Sequence, residues 1–161
     1  KSYRISQPSN WPSASINQIH QSGALEALRD LPDECIALSV TSPPYWNVID
    51  YQSDGQIGHS DYETYIEDLL KVWREIHRAL IPNGKLAIVT PIMPIPKKVI
   101  KNQHTRHLKN ISNDIEHSIL ANIGGFHRYS LFVWQKQTSV KMFGSYPYPP
   151  NIFEDNTIEF I

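Results

Sequence analysis

Two consecutive prolines, Pro43 and Pro44, place the strongest constraint on how this chain can fold. They follow an almost continuous apolar run at residues 35–40, which is typical of a strand buried on both faces of a parallel sheet. Because proline has no backbone N–H, two in succession cannot continue a sheet ladder, and the strand must end before them. Ligands bind at the carboxyl ends of strands in open α/β sheets, so the segment from Thr41 to Trp46 is a candidate functional site.

Helical and strand patterns alternate along the rest of the chain. Apolar residues recur at helical spacing, which predicts helices at residues 24–31, 60–80 and 111–120. Besides the run at residues 35–40, strands are predicted at residues 85–90, 126–136 and 157–161. Pro82-Asn83-Gly84 is predicted to stop the long helix, and residues 91–110 are predicted to form a long loop. This order of elements predicts an α/β fold.

The composition indicates an ordinary globular protein, with 40% hydrophobic and 19% charged residues. The formal net charge of −1 gives no global attraction to nucleic acid, so contact with DNA would need a local cluster of cations. The single cysteine, Cys35, excludes an intrachain disulfide and a cluster of thiolate metal ligands. No apolar run approaches the ~20 residues of a membrane span, which favours a cytoplasmic location.

The residue types after the first strand suit methyl transfer to an aromatic amine. The exocyclic amine of cytosine or adenine is a poor nucleophile because its lone pair is delocalised, and acceptors for its N–H bonds localise that pair. Ser42 Oγ and the Pro43 carbonyl are the candidate acceptors, and the prolines keep them in place. Tyr45 offers a flat face to a base that has left the helix stack. A rigid turn without catalytic function is the alternative interpretation of such a segment.

The segment Ser42-Pro43-Pro44-Tyr45 resembles the catalytic motif of the DNA amino-methyltransferases, in which Asp, Asn or Ser precedes Pro-Pro-Tyr or Pro-Pro-Phe. The resemblance covers roughly residues 16–161. The other segments similar to this family are Leu31-Pro32-Asp33-Glu34, Gly58-His59, Leu80-Ile81-Pro82-Asn83-Gly84-Lys85, Phe132-Val133-Trp134-Gln135-Lys136 and Ser145-Tyr146-Pro147-Tyr148-Pro149-Pro150-Asn151.

This resemblance implies a Rossmann-like S-adenosylmethionine-dependent methyltransferase fold. Residues 1–18 are expected to form an extended arm, and residues 19–161 the catalytic portion, without the cofactor-binding and target-recognition regions. The family's Gly-rich cofactor turn follows a strand, whereas Gly124-Gly125-Phe126 precedes one. The resemblance further implies S-adenosyl-L-methionine as cofactor and Ser42, Pro43, Pro44 and Tyr45 as catalytic residues.

The target and the partners also follow from the resemblance. The Ser form of the motif followed by Tyr-Trp resembles enzymes that make N4-methylcytosine, with the N6 amine of adenine as the alternative target. The implied partners are double-stranded DNA and a cognate restriction endonuclease in a prokaryotic cytoplasm, and the oligomeric state stays open. Two other hypotheses are a truncated, non-catalytic DNA-binding remnant and a methyltransferase for RNA or protein glutamine. The latter enzymes usually carry their cofactor motif first, and the first ~40 residues here lack it.

Contacts with DNA are predicted from the aromatic and basic residues around the motif. The long loop carries cations with no acid before Asp114, which suits contact with phosphates, although a solvated surface loop is the alternative. The predicted DNA-binding residues are Trp46, Lys97, Lys98, Lys101, Arg106, Tyr146 and Tyr148.

Cys35 opens a buried strand pattern, which favours a core thiol over the nucleophile of cytosine-C5 methyltransferases. No metal site is predicted, because His104 and His107 have no carboxylate or thiolate partners in the loop.

Overall fold

The computed structural model describes residues 16–47, 49–94, 108–135 and 158–161. In these ranges, the helices are α1 (Ala24–Arg29), α2 (Tyr62–Ala79) and α3 (Ile111–Asn122). The strands in the same ranges are β1 (Ile36–Thr41), β2 (Leu80–Ile88), β3 (Thr90–Pro94), β4 (Leu108–Asn110), β5 (Val133–Gln135) and β6 (Ile158–Phe160). Most of the predicted N-terminal arm, residues 1–15, lies outside the described residues. No helix within the described ranges is long and apolar enough to cross a membrane.

Helix α2 forms the centre of the core. Asp61 caps its first turn, because its carboxylate accepts hydrogen bonds from the N–H and the hydroxyl of Thr64, and these bonds hold the pKa of Asp61 below its usual range. The apolar residues whose spacing predicted this helix lie mostly buried and pack against α1, β2 and α3. The most fully buried members of this core include Tyr65, Leu69, Trp73 and Ile111.

The strands pair in two groups. β1 and β2 run parallel and are connected through α2, and Thr41 at the end of β1 pairs with Ile88 at the end of β2. The second group has the order β4-β3-β6-β5 and is antiparallel throughout. The predicted succession of helix, strand, helix and strand is therefore present in residues 24–88.

The long helix and β2 meet in a way that the sequence pattern did not predict. Helix α2 ends at Ala79, and β2 begins at once at Leu80. Pro82-Asn83-Gly84 does not stop the helix but interrupts the strand, because Ile36 pairs with Leu80 whereas Leu38 already pairs with Lys85. A Cβ on Gly84 would lie 2.9 Å from the Ile81 carbonyl oxygen, so this bulge requires glycine.

Residues 91–110 do not form one continuous loop. Residues 91–94 belong to β3 and residues 108–110 to β4, and the two strands pair with each other. β3 pairs over only two or three residues on each side, so its prolines interrupt few ladder hydrogen bonds. The strand predicted at residues 126–136 is shorter than expected: of its described residues, only Val133–Gln135 form a strand.

The prediction that β1 is buried on both faces is wrong for the described residues. Leu38 and Val40 lie on the same face of the strand and are 55% and 65% exposed. None of the elements that the structure describes covers these two side chains, whereas Ile36 at the start of the strand is partly buried and packs against the core. The apolar run correctly predicted a strand, but a strand's burial depends on elements elsewhere in the fold.

The core packing leads to a prediction about stability. Leu69→Ala should lower the free energy of unfolding by about 2–5 kcal/mol, because the 2% exposed side chain would leave a cavity. Leu120→Ala is the matched control: its side chain is 46% exposed, and the expected change is within about 0.5 kcal/mol. Urea denaturation of the full-length protein measures both changes, and equal losses would contradict the central position of α2.

Candidate active site at the end of strand β1

The segment Thr41–Trp46 leaves the sheet at the carboxyl end of β1, as the prolines predicted. The Val89 N–H donates a hydrogen bond to the Thr41 carbonyl (2.9 Å), so the last residue of β1 is held against the end of β2. Ser42 is the first residue beyond this bond, and it is exposed. The candidate acceptor therefore lies where parallel strands present their ligand-binding edge.

Ser42 and Tyr45 are brought together by the turn between them. The Ser42 Oγ lies 2.9 Å from the Tyr45 hydroxyl, a hydrogen bond in which either group can donate. If Ser42 donates, both lone pairs of its oxygen stay available to accept hydrogen bonds from another molecule. The bond also restricts the Tyr45 ring, which is half-buried.

The Pro44 carbonyl is fixed from the core side. It accepts a hydrogen bond (2.9 Å) from the hydroxyl of Tyr65, a residue of α2 that is 0% exposed. Burial raises the pKa of Tyr65 above its usual range, so the phenol stays protonated and donates. Among the residues that the structure describes, no donor is hydrogen-bonded to the Pro43 carbonyl, the second predicted acceptor.

Trp46 belongs to the core rather than to the exposed part of the segment. It is 8% exposed, its indole N–H donates to the Ser60 carbonyl (2.8 Å), and its ring meets Tyr62 edge-on with centroids 5.0 Å apart. The adjacent Asn47 N–H donates to the carbonyl of Gly58, whose φ of +103° favours glycine. The position of Trp46 does not support the contact with DNA expected from the sequence, because the indole is already buried and bonded.

The sequence pattern did not identify the supporting residues of this site. Helical spacing is sufficient to place Tyr65 on the buried face of α2, but its hydroxyl also needs a hydrogen-bond partner when the ring is buried. This requirement is the sequence signal that could have indicated a hydrogen bond from Tyr65. The partner, Pro44, could not be identified from spacing because the two residues are brought together by the fold.

The other predicted DNA-binding residues lie outside the described residues. They are Lys97, Lys98, Lys101, Arg106, Tyr146 and Tyr148. Their contacts with DNA stay predictions from composition. At the described end of the basic segment, the Lys109 ammonium lies 3.9 Å from the centroid of the Tyr62 ring, a cation–π contact.

Cys35 lies at the opposite end of β1 from Ser42. Its thiol donates to the Pro32 carbonyl (2.9 Å), and burial raises its pKa. The residue is half-buried rather than fully buried. An activated nucleophile needs a lowered pKa, so this environment favours a structural thiol.

The described residues show neither a metal site nor a cofactor pocket at the segment. No group of three metal-ligating side chains occurs among them. A cavity of about 370 Å³ lies between β2, α3 and residues 126–132, and its lining includes Leu86, Ile88, Ile115 and Ile119. The residues from Ser42 to Trp46 do not line this cavity, so it is not part of the candidate active site.

Comparisons with protein families and with known proteins agree on one family. A model of the DNA methylase family matches residues 36–161. The chain is 48% identical over 62 residues to the type II methyltransferase M.SfiI of Streptomyces fimbriatus, a match that covers 38% of this chain and 15% of that protein.

Solved structures are similar over most of the chain. A Thermus thermophilus protein described as a putative DNA modification methylase, crystallised with S-adenosyl-L-methionine, is 31% identical with a TM-score of 0.61. This match covers 85% of the present chain and 50% of that protein. The cytosine-N4-specific PvuII DNA methyltransferase has a TM-score of 0.59 at 15% identity, over 86% of this chain and 45% of that one, a likeness of fold alone. These likenesses confirm the predicted α/β methyltransferase fold, and the chain spans about half the length of these proteins.

The environment of Cys35 leads to a prediction about its reactivity. Because its pKa is raised, Cys35 should be alkylated by iodoacetamide at about pH 8 severalfold more slowly in the folded protein than in urea. Free cysteine under both conditions is the control for the reagent. Alkylation of the folded protein that is faster than that of free cysteine would indicate an activated nucleophile and contradict a structural role.

Proposed function

Because the chain belongs to the DNA methylase family, we propose that it forms the catalytic part of an enzyme that methylates an exocyclic amine in duplex DNA. The observation that supports this function best is the position of Ser42. Its exposed hydroxyl stands directly beyond the carboxyl end of β1 and is oriented by Tyr45 at 2.9 Å. Ser42, Pro43, Pro44 and Tyr45 are proposed as the catalytic loop.

In this proposal, the loop activates the amine by accepting its N–H bonds. Ser42 Oγ accepts one of them, and the Pro43 carbonyl accepts the other. Two acceptors draw the nitrogen toward tetrahedral geometry and localise its lone pair for attack. Tyr45 packs against the flipped base, and base–aromatic stacking contributes ~1–3 kcal/mol. The nitrogen would bond to the methyl carbon as the bond between that carbon and the donor's sulfur breaks. The methylated nitrogen would then be positively charged and acidic, so it would lose its proton to water without a strong base, and positioning is the main requirement.

S-adenosyl-L-methionine is proposed as the methyl donor, and when bound it supplies a methyl group activated by a sulfonium. The similar Thermus protein was crystallised with this compound. The catalytic loop does not by itself fit this compound, because Ser42 and Tyr45 supply only hydroxyl groups. The cavity of about 370 Å³ has charged residues such as Lys85, Glu116 and Arg128 in its lining, but it does not include the loop. No residue of this chain is therefore assigned to the cofactor.

The N4 amine of cytosine is proposed as the target, and the N6 amine of adenine is the alternative target. The support is the Ser-Pro-Pro-Tyr-Trp form of the motif. The type II name of M.SfiI supports a place in a restriction-modification system, with a cognate endonuclease as the functional counterpart. The basic residues Lys97, Lys98, Lys101 and Arg106 are proposed to contact DNA phosphates, on the basis of composition alone.

The product tests the proposed function directly. The full-length protein should transfer a deuterium-labelled methyl group from S-adenosyl-L-methionine to duplex DNA, and mass spectrometry of the released nucleosides should find labelled N4-methylcytosine. If labelled N6-methyladenine is found instead, the target base is adenine and the proposed methyl transfer to an exocyclic amine still holds. Absence of both, with intact DNA binding, would favour a non-catalytic DNA-binding module.

The role of Ser42 predicts a separation of rate from affinity. Ser42→Ala should lower the single-turnover methylation rate by roughly 10²-fold or more, because one hydrogen bond to the activated amine is lost. The dissociation constant for duplex DNA should change less than about twofold, since phosphate contacts supply most of that affinity. Ser112→Ala, the same substitution in the first turn of α3, is the control and should leave both values unchanged. A near-normal rate in Ser42→Ala would remove Ser42 from the mechanism.

A further inference from the structure

We propose that Tyr65 is a positioning residue of the catalytic loop: its hydrogen bond to the Pro44 carbonyl fixes the peptide that places Tyr45 and, through Tyr45, the hydroxyl of Ser42. This inference rests on the proposed function, because it assigns Tyr65 a part in the same reaction. Tyr65 does not itself face the reacting groups, since it is 0% exposed within α2. It acts on them through two successive hydrogen bonds.

The loop depends on an external donor because of its own sequence. Pro43 and Pro44 have no N–H, so neither residue can be held by donating a backbone hydrogen bond. Their carbonyls are the backbone groups through which this part of the loop can be fixed. Tyr65 supplies a donor to one of these carbonyls, at 2.9 Å. The Pro44 carbonyl and the nitrogen of Tyr45 share one planar peptide unit, so fixing the carbonyl also fixes the direction in which Tyr45 leaves the loop.

The Tyr65 ring is itself held on several sides. It is part of α2, its ring centroid lies 5.8 Å from that of Tyr62, and its Cδ2 atom lies 3.7 Å from the position that a Cβ on Gly58 would take. Gly58 in turn accepts the N–H of Asn47 (3.1 Å), just beyond the loop. The hydroxyl is therefore delivered by a side chain with little freedom to move, which a positioning residue requires.

The same hydrogen bond distinguishes the two proline carbonyls. Tyr65 occupies the Pro44 carbonyl, whereas the Pro43 carbonyl has no hydrogen-bond donor among the described residues. The Pro43 carbonyl therefore keeps both of its lone pairs for another molecule, whereas the Pro44 carbonyl has one lone pair left.

The matched pair of variants for a test is Tyr65→Phe and Tyr62→Phe. Both tyrosines belong to α2, both are buried, and each substitution removes one hydroxyl together with the hydrogen bond that it donates. The Tyr62 hydroxyl donates to the Asp114 carboxylate at 2.6 Å, a charge-assisted bond whose loss should destabilise the protein at least as much as loss of the Tyr65 bond. Tyr62→Phe therefore controls for a purely structural effect.

In the full-length protein, Tyr65→Phe should lower the single-turnover methylation rate about tenfold at an unchanged dissociation constant for DNA, because a misplaced reacting group costs rate rather than affinity. Tyr62→Phe should stay within about twofold of the wild-type rate. A wild-type rate in Tyr65→Phe, or an equal loss in both variants, would overturn the inference.

Amide hydrogen exchange provides a readout that does not depend on activity. The amides of Tyr45 and Trp46 should exchange faster in Tyr65→Phe than in the wild type and should be unchanged in Tyr62→Phe. If the wild type does not methylate DNA, the proposed function fails, and faster exchange in Tyr65→Phe alone would still support the link between Tyr65 and the loop. Unchanged exchange in Tyr65→Phe would overturn the inference whatever the activity.

Discussion

Helix α2 holds strand β1 at both of its ends, and the candidate site depends on this arrangement. Before the strand, the N–H groups of Glu34 and Cys35 donate to the carbonyls of Arg78 and Ala79, in the last turn of the helix. The Arg78 guanidinium donates in addition to the carbonyls of Leu28 and Leu31. After the strand, Tyr65 near the start of the same helix donates to Pro44. The position of Ser42 relative to the core is thus set by one rigid element.

The division of the loop into a buried and an exposed side follows from this. Trp46 and Tyr65 lie in the core and use their polar atoms to bind backbone carbonyls. Ser42 faces solvent and keeps acceptor capacity for another molecule. Buried polar groups that are fully hydrogen-bonded make a region rigid, and an exposed hydroxyl next to them gains a defined position without a desolvation penalty.

The sequence was sufficient for those features that depend on local rules. Proline chemistry placed the end of β1, apolar spacing placed α2, and the motif segments identified the family, which the family match confirms. The features that the sequence did not predict depend on contacts between distant residues. Residues 91–94 and 108–110 were expected to lie in a loop but pair as β3 and β4. Leu38 and Val40 are exposed because a strand's burial depends on the elements packed against it, and not on its own apolar residues. The burial of Trp46 required its partner Ser60 to be in place.

A serine at the head of this loop makes positioning more important than it would be for an acidic residue. A carboxylate accepts hydrogen bonds that are roughly twice as strong as those of a neutral oxygen, and it offers two oxygens, so it tolerates some error in direction. A single neutral hydroxyl can rotate and is effective only when its hydrogen is directed elsewhere. In this chain, the Tyr45 hydroxyl at 2.9 Å can receive that hydrogen, and the Pro44 peptide that carries Tyr45 is held by Tyr65. In the proposed mechanism, the neutral acceptor Ser42 and its support by Tyr45 and Tyr65 therefore act together.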